Sequence, residues 1–94
     1  MSAVLFADAA RWQLRSAVET IRRRDPAKAA SFLDQVDHWV RNRTTIETEG
    51  RALPEAPDAP YREVRADGYR VFFRTEADTL WIAGVWRVAP ETYV

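Results

Sequence analysis

Apolar positions along the chain change period twice, and each change marks a new kind of element. Ala3-Val-Leu-Phe6 is a continuous apolar run short enough for a buried strand. Asp8 then stands where an N-cap belongs. Ala10, Leu14, Ala17, Val18 and Ile21 follow at spacings of three and four, with Arg11, Arg15, Glu19 and Arg22 on the opposite face. This predicts an amphipathic helix closed by Arg22-Arg-Arg24, where cations complement the C-terminal end of the helix dipole. Asp25-Pro26 predicts an immediate restart, with Asp as N-cap and Pro at the first helical position. Ala29, Leu33, Val36 and Val40 form a second apolar stripe, flanked by Phe32 and Trp39. With so short a connection, the two helices are expected to pack as an antiparallel hairpin.

Residues 44–60 hold three of the five prolines and read as a long loop, pinned to the core by Ile46 and Leu53. From Tyr61 the period drops to two. Arg62, Val64 and Ala66 alternate with Tyr61, Glu63 and Arg65, and Asp67-Gly68 marks a two-residue hairpin turn that needs positive φ at both positions. Tyr69, Val71 and Phe73 then face opposite to Arg70, Phe72 and Arg74. After a turn at Glu76-Ala-Asp78, Leu80, Ile82 and Gly84 alternate with Trp81, Ala83 and Val85, until Pro90 ends the last strand. The order is strand, helical hairpin, long loop, three-strand meander. It defines a single α+β domain over 1–94, with the hairpin on one face of an antiparallel sheet. The other sheet face, edged with Arg and aromatic residues, is left for function.

Composition narrows the chemistry. A chain of 94 residues buries roughly 60–65% of its unfolded surface, enough for one core. It has no cysteine, which excludes disulfides and thiolate metal sites. No apolar run reaches the ~18 residues of a membrane span and the N-terminus lacks a basic leader, so the expected location is the cytoplasm, with no membrane partner. Net charge is zero but uneven: residues 8–43 hold eight bases against five acids, residues 44–60 one against four, and residues 61–94 five of each. Nucleic-acid binders neutralise phosphates and carry a basic excess, which is missing here. Thirteen of the fourteen bases are arginine, the side chain suited to planar, bidentate contacts.

One histidine (His38, off the apolar stripe), scattered carboxylates and three well-separated glycines offer no metal cluster, phosphate loop or hydrolytic relay, so no metal or cofactor is expected. The remaining chemistry is phosphoryl stabilisation by Arg62, Arg70 and Arg87 with Tyr93 nearby, since guanidinium matches phosphoryl oxygens. Arginine cannot serve as the base, which leaves Tyr93, Glu63 or Glu91. The competing assignment pairs these arginines with Glu63, Asp67, Glu76 and Glu91 across the sheet, with Arg70 and Arg87 as the preferred exceptions.

Gly50-Arg-Ala-Leu-Pro-Glu55, Tyr61-Arg-Glu-Val64 and Gly68-Tyr-Arg-Val-Phe-Phe-Arg74 together resemble the C-terminal half of the RelE/ParE toxin superfamily, and Val4-Leu-Phe, Ala10, Leu14, Ala29 and Phe32-Leu33 fit its helical hairpin. The resemblance implies a toxin of a type II toxin–antitoxin pair. RelE-like members cut messenger RNA on the ribosome; ParE-like members are thought to act on DNA gyrase without nuclease chemistry. Carried over, a RelE-like enzyme would use Arg62, Arg70, Arg87 and Tyr93. Val64 stands where such an enzyme carries a second lysine, and Val88-Ala-Pro-Glu replaces its run of bases. The Gly-Arg-x-x-Pro-Glu loop and Arg-Glu-Val strand are closer to ParE, although Trp86-Arg87 replaces the His-x-x-Arg common there. The expectation is therefore a ParE-like gyrase binder. A ribosome-dependent endoribonuclease, or an inactive homologue that serves only as antitoxin partner, is the alternative. Target contacts are expected at Arg70, Arg74, Trp86, Arg87 and Tyr93, and antitoxin contacts at Trp12 and Trp39 along the hairpin.

Overall fold

The computed structural model describes residues 3–88. Strand β1 (Ala3–Phe6) leads into helices α1 (Asp8–Arg24), α2 (Pro26–Arg41) and α3 (Arg43–Glu49). These are followed by β2 (Arg51–Ala52), β3 (Arg62–Ala66), β4 (Tyr69–Glu76) and β5 (Thr79–Arg87). The strands form one sheet in the order β1-β5-β4-β3-β2. The α+β architecture expected from the sequence is present, but the sheet is mixed: β1 lies parallel to β5, and the other pairs are antiparallel.

The helix starts follow partly from local chemistry. Asp25 Oδ1 accepts the backbone N–H groups of Ala27 and Lys28 at 3.1 and 3.2 Å, capping α2 above Pro26. Asp8 is not the cap of α1 but its first residue; Ala7 holds the cap position without a side-chain bond. Asp8 still lies in the first turn, where a carboxylate favours the positive end of the dipole.

Segment 44–60 is more ordered than a loop. Its first part is α3, and Ile46 on that helix is fully buried while Arg43 pairs with Glu47 one turn on, at 3.3 Å. Thr44 and Thr45 are weak helix formers that hide the element in the sequence; tertiary burial of Ile46 overrides them. Leu53 is buried as expected.

The core lies between the helices and one sheet face, where Val64, Val71, Phe73, Leu80, Ile82 and Val85 meet Ala10, Ala17, Ile21, Ala29, Phe32, Val36, Trp39 and Ile46. The buried stripe of α2 is Ala29, Phe32, Val36 and Trp39, one position round from the expected one, and Leu33 is 43% exposed. Both stripes obey helical spacing. The aromatic one removes more apolar surface from water and takes the core. Phe32 packs on Tyr69 with ring centroids 5.6 Å apart, and Trp39 Nε1 donates to Glu49 Oε1 at 2.9 Å.

The meander turns as its sequence requires. Asp67 and Gly68 both have positive φ, 48° and 79°, fixing the register Ala66↔Tyr69 and Arg65↔Arg70. Between β4 and β5 the register slips: Phe72 faces Gly84 and Phe73 faces Ile82, so Ala83 is an extra residue. The bulge reverses the expected alternation beyond it. Val85 joins Ile82 in the core, and Gly84 with Trp86 turns to the outer face.

Candidate functional site: the outer sheet face

The register puts Glu63, Arg65, Arg70, Phe72, Arg74, Trp81 and Trp86 on the sheet face turned away from the helices. Here Glu63 is only 1% exposed, the one buried charged residue among those described. A carboxylate out of water needs partners, and it has two. Arg70 Nε donates to one oxygen and Arg65 Nε to the other, the latter at 3.0 Å. Arg70 reaches further, its Nη2 lying 2.8 Å from each oxygen of Glu55. The segment that follows β2 is thereby tied to the sheet face by an Arg65–Glu63–Arg70–Glu55 chain of alternating charge.

The charges set one another's titration. The hydrogen bond from Arg70, helped by a backbone bond at Glu55 and by the fields of Arg70 and Arg65, holds the Glu55 carboxyl below its ordinary range. The same bond, with the one Arg70 donates to Glu63 and the charges of both carboxylates, raises the Arg70 guanidinium further above its own. Arg70 is thus a neutralised cation. Arg74 is similar, bonded to Glu76 at 3.2 Å. Both guanidinium groups also lie over aromatic rings, Arg70 at 4.7 Å from the Phe72 centroid and Arg74 at 5.8 Å from that of Tyr61.

Beside this network a shallow groove of about 540 Å³ is lined by Leu53, Tyr61, Phe72, Ala83 and Trp86, with Glu55, Arg70 and Arg87 at its sides. Trp86 is 58% exposed, a large apolar surface held in water. Gly84 makes room for it: a Cβ there would sit 2.8 Å from Trp86 Nε1.

The arginines grouped by the sequence as an enzyme site separate in space. Arg62 pairs with Phe73 and so faces the helices, where it donates to the carbonyls of Glu47 and Gly50 and clamps the end of α3. Arg87 pairs with Tyr69 and also starts from the helix side, exposed at the end of β5. Of the three, Arg70 and Arg87 border the outer-face groove, and Arg62 does not. Tyr93 lies outside the described residues. Of the two residues expected to meet the antitoxin, Trp12 is 70% exposed on α1 with Arg15 stacked at 5.6 Å, whereas Trp39 is a core side chain with no surface to offer. Pairing of arginines with Glu63 and Glu76 was expected from the sequence, but with Arg70 as an exception; the structure corrects this, since Arg70 is bonded to Glu63 and also to Glu55, fifteen residues away. His38 sits exposed on α2 against Asn42. No helix of the described residues is long and apolar enough to cross a membrane, and no group of three of their potential ligands could hold a metal.

A helical hairpin on a five-stranded mixed sheet is a fold shared with chains of two solved toxin–antitoxin systems. The chromosomal ParDE system from P. aeruginosa matches with a TM-score of 0.70 at 16% identity, over 95% of this chain and 98% of that one. The RelBE2 toxin–antitoxin complex from Mycobacterium tuberculosis matches with a TM-score of 0.62 at 20% identity, over 95% and 93%. At those identities the likeness is one of fold. No curated protein matches the chain in sequence. The family of the ParE toxin of the type II toxin–antitoxin system parDE matches residues 4–89, and the chain belongs to that family. It is a type II toxin.

Proposed function

We propose that this toxin arrests growth in the cytoplasm by binding DNA gyrase, without cutting RNA, and that a cognate antitoxin silences it. The observation that carries this reading is the placement of the arginines. A phosphoryl-transfer site needs cations converging on one point with their donors unspent. Here Arg62 and Arg70 lie on opposite sheet faces, and Arg70 and Arg74 are each committed to carboxylates. The chain's net charge of zero gives no electrostatic pull toward RNA. What the outer face offers is an apolar groove with an exposed tryptophan, which serves recognition of a protein surface. The solved relatives are toxin–antitoxin systems, which supports an antitoxin as the second partner.

The test combines purified toxin, gyrase, ATP and supercoiled plasmid. Linear DNA that depends on both proteins is the expected product. No cleaved DNA, from a chain that still arrests growth and leaves messenger RNA cut on translating ribosomes, would overturn the reading.

A further inference from the structure

β1 runs beside only part of β5. It pairs with Thr79 to Ile82, and the ladder ends where the Ala7 N–H reaches the Ile82 carbonyl at 2.9 Å. β5 continues to Arg87, so residues 83–87 have β4 on one side and, among the described residues, no strand on the other. Helix α1 stands there instead. Gln13 Oε1 accepts the Val85 N–H at 2.8 Å, taking the place of a neighbouring strand's carbonyl.

Backbone groups alternate sides along a strand. The Val88 N–H turns inward, to the Gly68 carbonyl at 2.7 Å, and the Val85 N–H turns outward. The N–H and C=O of Arg87 therefore point outward with those of Val85, and no described residue takes the Arg87 N–H. These groups open into a slot of about 400 Å³ between strand and helix. Gln13, Ser16 and Thr20 form its α1 wall, Trp86 and Arg87 its β5 wall, with Ala17 at its base. Exposed edges are usually blunted by Lys, Pro or a bulge. The Ala83 bulge lies at the start of this stretch; beyond it the ladder is regular, with neither Lys nor Pro up to Arg87.

We propose that this slot receives an extended segment of the antitoxin as a sixth strand, beside β5 and end-on to β1. The inference rests on the reading above that a cognate antitoxin binds this toxin. The slot specifies a peptide backbone, because Arg87 supplies a donor and Val85 and Arg87 supply acceptors at strand spacing. Alternate side chains of the segment then meet Ala17 and the Trp86 ring, the usual division of labour when a strand is added to an edge. Arg87 is the only charged side chain lining the slot, so a carboxylate on the segment complements that end.

The experiment is residue-resolved hydrogen exchange on the whole toxin, free and bound to the antitoxin encoded beside it. The Arg87 amide is expected to exchange roughly tenfold or more slowly in the complex, while the already bonded Val85 amide changes less. Ser16→Trp, at an exposed helix position, fills the slot. It is expected to weaken the complex about tenfold with the melting temperature of the free toxin unchanged. A complex in which Arg87 exchanges as in the free toxin overturns the added strand and leaves antitoxin binding standing, whatever Ser16→Trp does. No complex with the unaltered toxin removes both readings.

Discussion

Arg70→Met tests whether the outer face is held by the Glu63 network. The variant keeps an apolar stem over Phe72 and removes the guanidinium that reaches both Glu63 and Glu55. Glu63 is left almost fully buried with Arg65 alone, whose side chain is half-exposed. Removing one partner of a buried ion pair costs about 3–5 kcal/mol, since the other charge stays out of water uncompensated. Because Arg65 remains, the lower end applies, about 3 kcal/mol. Losing the bond to Glu55 adds little, as that carboxylate is well exposed. For a domain of this size each kcal/mol moves Tm by about 4–8 °C, so a fall of roughly 12–24 °C is expected.

The assay is urea unfolding followed by tryptophan fluorescence, with midpoints compared at constant slope. The companion is Glu63→Leu with Arg70→Met, which removes both charges and fills the site with apolar groups. It is expected to return to within about 1 kcal/mol of the parent. A single variant within about 0.5 kcal/mol of the parent, or a double variant no more stable than Arg70→Met, would refute the reasoning. The double variant also separates structure from function. If it folds and remains toxic, Arg70 serves only to hold Glu63; if it folds and is harmless, Arg70 touches the target.

Gly50→Ala places a Cβ 2.4 Å from the buried Phe73 ring and 3.0 Å from the Ile46 carbonyl. A loss of about 1–3 kcal/mol is expected in the same unfolding assay. Gly84→Ala meets mainly the exposed Trp86 ring, which can swing away, so stability is expected to hold while the Trp86 indole N–H resonance shifts. Asp25→Ala removes the cap of α2 and is expected to cost about 1 kcal/mol by thermal melting. The Glu55 carboxyl, held below its ordinary 4.5, contributes stability that is present above that value and lost as the pH falls below it. Arg70→Met is expected to return its NMR titration to the ordinary range and remove that part of the acid sensitivity.

How much of this was legible in advance depended on the range of the interaction that decides each feature. The helical hairpin, the Asp67-Gly68 turn and the three-strand meander are set by neighbours in sequence, and local patterns predicted them. The stripe of α2 is set by competition between two faces that both satisfy helical spacing, and only the sheet decides it in favour of Phe32 and Trp39. Helix α3 exists because Ile46 is buried by distant residues. The parallel partner of β1 is more than seventy residues away along the chain, and no local pattern names it.

The grouping of Arg62 with Arg70 was refutable from the sequence. A two-residue turn at 67–68 sets Ala66 opposite Tyr69, and counting back sets Arg62 opposite Phe73, a residue of the core face. Arg70 is an odd number of positions from Phe73 and faces the other way, so no site on one face holds both side chains. Arg87 could not be treated so. The count from β4 to β5 passes through the Ala83 bulge, where one extra residue inverts every position beyond it. Parity along a strand assigns faces until a bulge intervenes. In this protein the bulge turns Trp86 onto the outer face and leaves Arg87 at the strand end, bordering the same groove.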